Sequence, residues 1–114
     1  MQISWADFEK IEMHAGHILE AKEAKEAIRA NKRAYQLLID FGKIIGVKKS
    51  SAQITTLYSC EELIGKKIVA VTNILPKQVG NFISEVLVLG LPDANGNIVL
   101  LNTEKNIPNG NRVF

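Results

Sequence analysis

The sequence predicts an all-β fold, a small barrel of five main strands, and three observations carry that reading. Short apolar runs recur along the 114 residues, each bounded by Gly, Pro, Asn or Ser. No long helical repeat separates them, which disfavours a parallel α/β architecture. Asn95-Gly96, a pair whose positions both tolerate positive φ, marks a hairpin between the last two runs.

The elements follow in chain order. Ser4 with Asp7 three residues on reads as a helix N-cap, and Trp5, Phe8 and Ile11 recur on one helical face, so a short amphipathic helix opens the chain. Residues 13–21 turn strand-like around Gly16. A charged connection over 22–32 leads to a second strand, 34–41. Gly42 and Gly46 punctuate a turn, and residues 51–55 read as extended. Ser59 caps one helical turn reaching Leu63, ahead of Gly65. Strands resume at 66–72. Residues 73–82, with Pro76 and Gly80, read as a loop; 85–89 is a nearly continuous apolar strand, 93–97 a turn, and 98–101 the answering strand. Five main strands with a short helix between the third and fourth match the order of an OB-fold, a partly open barrel that commonly binds oligonucleotides, although periodicity alone leaves other small barrels open. Nothing repeats and no linker interrupts, so residues 1–114 are expected to form a single domain.

Composition narrows the function. With 46% hydrophobic and 23% charged residues the chain suits one soluble domain with a modest core. No run approaches the roughly 20 apolar residues of a membrane span, and Met1-Gln2-Ile3-Ser4-Trp5 lacks the features of a signal peptide, so a cytoplasmic protein without membrane insertion is expected. Cys60 is the single cysteine and reads as an ordinary thiol. His14 and His17, three apart, fall on opposite faces of a strand and have no third ligand beside them, so no metal or other cofactor is expected. No nucleophile is paired with a base and no phosphate loop is spaced correctly, which points to binding without catalysis. The net charge of +2 hides an asymmetry: residues 22–49 carry eight basic groups against three acidic ones. Such a cluster attracts nucleic acid through counterion release; a solvated loop over Lys22 to Lys32 is the bland alternative.

Several segments together carry a resemblance: Asp7-Phe8-Glu9-Lys10-Ile11 with Gly16, Leu38-Ile39-Asp40-Phe41-Gly42, Lys49-Ser50-Ser51-Ala52-Gln53-Ile54, Ile68-Val69-Ala70-Val71-Thr72-Asn73 and Ser84-Glu85-Val86-Leu87-Val88-Leu89-Gly90. In this order, almost end to end, they resemble the CsaA family, which is similar to the tRNA-binding modules appended to methionyl-tRNA synthetases. The resemblance implies a homodimeric OB-fold, with tRNA binding or chaperoning of unfolded preproteins for the secretion machinery as its activity. It implies a nucleic-acid surface at Ser50, Ser51, Gln53, Asn73, Lys77, Ser84 and Glu85, beside Lys48 and Lys49. Lysines supply charge to phosphates, while hydroxyls, carboxamides and a carboxylate can meet sugar oxygens, base edges or the RNA 2′-hydroxyl. Two structural alternatives stand beside this: Ser50 and Ser51 satisfying turn backbone groups, and Glu85 orienting Lys77. The segment 76–83 is less basic than relatives tend to be, which predicts weaker RNA binding. The resemblance also implies a twofold interface built by the terminal extensions, here Trp5, Phe8, Ile11, Ile107, Val113 and Phe114, whose other reading is that they cap their own barrel.

Overall fold

Gly16 sits at a close approach between two strands of the barrel. A Cβ there would lie 2.7 Å from the Phe41 ring and 2.9 Å from the Asp40 carbonyl oxygen. The strand that carries it, β1 (Met13–Glu23), pairs antiparallel with β4 (Lys67–Val71) through its first half and with β2 (Tyr35–Asp40) through its second. A register shift between Ile18 and Glu20 makes Leu19 the extra residue of a bulge, which bends β1 and lets one strand serve both sides of a barrel. β2 then pairs with β3 (Val47–Ala52), and β4 with β7 (Leu87–Val88), giving the order β3-β2-β1-β4-β7. This is the nearly closed antiparallel barrel of an OB-fold. The computed structural model describes residues 1–25 and 33–114; residues 26–32, part of the charged connection read from the sequence, lie outside them. No helix among the described residues is long and apolar enough to cross a membrane.

Period-two alternation fills the barrel. Tyr35, Leu37 and Ile39 of β2 point inward, where they meet Ile18, Phe41, Leu63 and Ile68. Burying each large aliphatic side chain contributes roughly 1.5–3 kcal/mol. Helix α1 (Trp5–Glu9) starts at Ser4, whose hydroxyl accepts from Asp7 N while the Asp7 carboxylate accepts from Ser4 N, and Ile11 falls beyond its end. The one-turn helix α3 (Cys60–Leu63) has the same reciprocal cap between Ser59 and Glu62, and it delivers Leu63 into the core.

Four elements differ from the sequence reading. The turn at Gly42 to Gly46 contains one helical turn, α2 (Gly42–Ile45), closed by Gly46 at φ 85°. It leads through Gly46 into β3 at Val47, so the third strand begins upstream of the expected 51–55 and overlaps it only at Ser51 and Ala52. The expected loop over 73–82 holds a hairpin of β5 (Lys77–Val79) and β6 (Phe82–Ser84). The expected strand over 85–89 is regular only at β7. The hairpin expected at Asn95-Gly96 is present and joins β8 (Gly90–Pro92) to β9 (Ile98–Leu100), with Asp93 accepting from Asn95 N and Asn97 N. Between β6 and β7, residues 85 and 86 leave the strand geometry, and Glu85 bonds there to Lys49 of β3.

Candidate nucleic-acid interface

β3 is an edge strand whose outer backbone groups must be satisfied. They are met by the segment that precedes β7. Glu85 N donates to Lys49 O (2.8 Å), and the Glu85 carboxylate accepts from Lys49 N (2.9 Å), so one residue answers both backbone groups of Lys49. The Ser84 hydroxyl accepts from Ser51 N (3.0 Å) and donates to Val86 O (3.2 Å). The Ser50 hydroxyl, fully buried, donates to the same carbonyl (3.1 Å). Ser50, Ser84 and Glu85 are thus brought together as the seam of the barrel.

The register of β3 against β2 separates the neighbouring residues by face. Lys48 and Ser50 stand opposite Ile39 and Leu37 on the inner side, with Lys48 half-buried. Lys49 and Ser51 stand opposite Leu38 and Gln36 on the outer side, and Gln53 follows, exposed. The Lys49 ammonium lies 5.5 Å from the centroid of the Phe82 ring. Lys77, exposed on β5, is in register with Ser84. Between the end of β3, the β5–β6 hairpin and residues 86–90 runs an open groove of about 850 Å³, and Ser51, Gln53, Lys77 and Ser84 all line it.

Asn73 is placed elsewhere. Its carboxamide accepts from Glu12 N (2.9 Å) and donates to Lys10 O (2.7 Å), which fastens the connection between α1 and β1. The terminal segments converge on the same end of the molecule. Ala15 N donates to Asn111 O, Gly110 N to Ala15 O, and Val113 N to Met13 O, so the C-terminal chain lies along the start of β1. The Arg112 guanidinium donates to Glu9 O (2.8 Å) and holds α1 against this tail. Trp5 (88% exposed) and the fully exposed Phe114 project from it, with Phe8 and Ile107 half-buried. His14 is buried under Arg112; its Nδ1 donates to Thr72 Oγ1 (2.7 Å), whose own proton goes to Glu12 O (3.2 Å). Burial lowers the pKa of His14, an effect that Glu12 opposes and Arg112 reinforces.

Sequence reasoning missed Gln36, Gln78 and Phe82 as groove residues, and Arg112 as the clamp on α1. Gln36 had a usable signal, because a polar residue alternating with Tyr35 and Leu37 faces outward on β2. Phe82 had none, since its position depends on the β5–β6 hairpin. His14 and His17 are held separately, His14 by Thr72 and His17 by the Asn109 carboxamide (2.6 Å). No cluster of His, Cys, Asp and Glu suited to a metal ion occurs among the described residues.

A family model described as "Putative tRNA binding domain" matches residues 13–112. The solved structure of a CsaA chaperone protein from Picrophilus torridus is 50% identical with a TM-score of 0.89, covering 99% of this chain and 100% of that one. That of chaperone CsaA from Bacillus anthracis is 45% identical with a TM-score of 0.89, covering 100% of both chains. Among curated proteins, a methionine–tRNA ligase from Methanocaldococcus jannaschii is 30% identical over 112 residues; these are 98% of this chain and 16% of the ligase, so the chain spans less than a fifth of that relative's length.

Proposed function

Because the chain belongs to the tRNA-binding domain family, and within it to the CsaA proteins, we propose that it binds tRNA without transforming it, as a cytoplasmic homodimer. One observation carries this reading: the outer side of β3 and the groove beside it gather Lys49, Ser51, Gln53 and Lys77, while no carboxylate lines that groove among the described residues. Ammonium groups there neutralise phosphates, and the hydroxyl and carboxamide reach sugar and base oxygens. In this proposal Lys48, next to Lys49 on β3, adds charge. Ser50, Ser84 and Glu85 act by holding β3, and Asn73 by fixing the α1–β1 connection. No group on this surface, among the described residues, is placed to make or break a bond.

The test is a salt series of labelled tRNA binding, read by fluorescence anisotropy. Wild type is expected to show a steep inverse dependence on salt. The triple variant Lys48→Ala, Lys49→Ala, Lys77→Ala is expected to bind more weakly and to reduce the log–log slope by about 0.9 for each phosphate that is no longer neutralised. An unchanged slope defeats the surface assignment, and no tRNA binding at low ionic strength defeats the function.

A second reading is favoured by a different observation. Ile74, Leu75 and Leu87 all line the groove and are all exposed, an apolar lining that a charged ligand does not need. We propose that extended segments of unfolded preproteins dock there, a chaperone role in secretion. An unfolded preprotein segment that binds and displaces tRNA would place both activities on one face.

A further inference from the structure

The groove has a chemical character that neither phosphate binding nor apolar docking requires by itself. Its floor is apolar, formed by side chains such as Ala52 and Val86. Its rim carries the carboxamides of Gln36, Gln53 and Gln78, and among the described residues its single charged one is Lys77. Gln78 Nε2 is engaged by Gly80 O (2.7 Å), which leaves the Gln78 carbonyl oxygen as an acceptor; Gln36 and Gln53 make no side-chain hydrogen bond to any described residue. A bare phosphate needs cations and gains nothing from an apolar floor. A cationic ligand needs a carboxylate, and an apolar peptide side chain needs no convergent amides. A nucleobase satisfies all of these features: its faces are flat and apolar, its edge mixes donors and acceptors that a carboxamide can meet in pairs, and its phosphate suits one lysine.

We propose that this groove takes one unpaired nucleotide of RNA, with the base against Phe82, its edge read by Gln36 and Gln53, and its phosphate on Lys77. The inference rests on the RNA reading above and narrows it from a charged surface to a site for a loop, bulge or strand end. Paired stems are excluded because A-form bases are stacked, with their major-groove edges in a deep and narrow cleft. The volume, about 850 Å³, lies within the roughly 300–1,000 Å³ of ligand pockets. Phe82 is the single aromatic residue lining the groove among the described residues, so the site offers a ring for one base and no platform for a run of them. The Lys49 ammonium, 5.5 Å from the same ring, stands ready for the next phosphate.

The experiment titrates the isotope-labelled protein with a single-stranded RNA tetranucleotide, with a short blunt RNA duplex and with tRNA, following backbone amide shifts. The tetranucleotide and tRNA are expected to move the amides of Gln36, Gln53 and Phe82, and the duplex to leave them in place. Gln53→Ala, at an exposed position, is expected to keep a folded spectrum and to lose about five-fold or more in tetranucleotide affinity. A second variant, Gln36→Ala, is expected to do the same. If tRNA binds while the tetranucleotide leaves these amides unmoved, the nucleotide site is refuted and the tRNA reading survives. If neither binds, both are refuted. If an unfolded apolar peptide moves these amides and the tetranucleotide cannot displace it, the groove belongs to protein segments and this proposal is overturned.

Discussion

Single side chains set the geometry of the binding edge, and two of them make distinct predictions. Glu85 replaces a strand partner for Lys49, using its backbone N–H for one group and its carboxylate for the other. Glu85→Gln keeps an acceptor but removes the charge that strengthens the bond, so a loss of about 1 kcal/mol in urea unfolding is expected, with Glu85→Ala losing more. Gly16→Ala forces a methyl group into the Phe41 ring and the Asp40 carbonyl, where an over-packed core costs about 1–3 kcal/mol. Its melting temperature is expected to fall while tRNA affinity at low temperature stays unchanged, since Gly16 lies away from the groove. Ser50 and Glu85 are legible in the sequence as polar residues beside apolar runs. Whether they face ligand or barrel is decided by backbone partners more than thirty residues away.

At the scale of elements, the C-terminal segment is a makeshift strand on β1, and His14 is the titrating group beneath it. Its pKa in the folded protein is lowered by burial from the usual 6.5, with Glu12 and Arg112 the charged neighbours. Between the folded and unfolded values the unfolded chain binds more protons, so stability falls as pH drops below about 6.5 and stops falling once the folded-state pKa is passed. Unfolding free energies measured across that range are expected to decline more steeply in wild type than in His14→Gln; equal slopes would remove His14 from this role. The β5–β6 hairpin belongs to the same scale. Pro76 and Gly80 mark the segment as a loop by composition, but three-residue strands pairing Lys77 with Ser84 carry too little periodicity to be read.

On the scale of the molecule, the barrel leaves two faces available, the groove beside β3 and the terminal face bearing Trp5 and Phe114. Leaving the Trp5 indole and the Phe114 ring exposed on the terminal segments is costly without a partner, which supports the proposed twofold interface. Light scattering at micromolar concentration is expected to give the mass of two 12.6-kDa chains, and Trp5→Ser with Phe114→Ser to give one. A single-chain mass for wild type would refute the twofold interface. Two copies would present two grooves to one RNA, raising avidity without new contacts.

By itself the sequence determined the barrel, because period-two alternation, capping pairs and turn residues act locally and each leaves its mark within a few positions. Only the tertiary structure decided which polar residues near β3 are spent on closing the seam and which face the groove, and it alone brought Gln36, Gln53, Lys77 and Phe82 to one place. That division follows from the barrel itself: its closure joins residues far apart in the chain, and no local pattern records which edge groups a distant segment will satisfy.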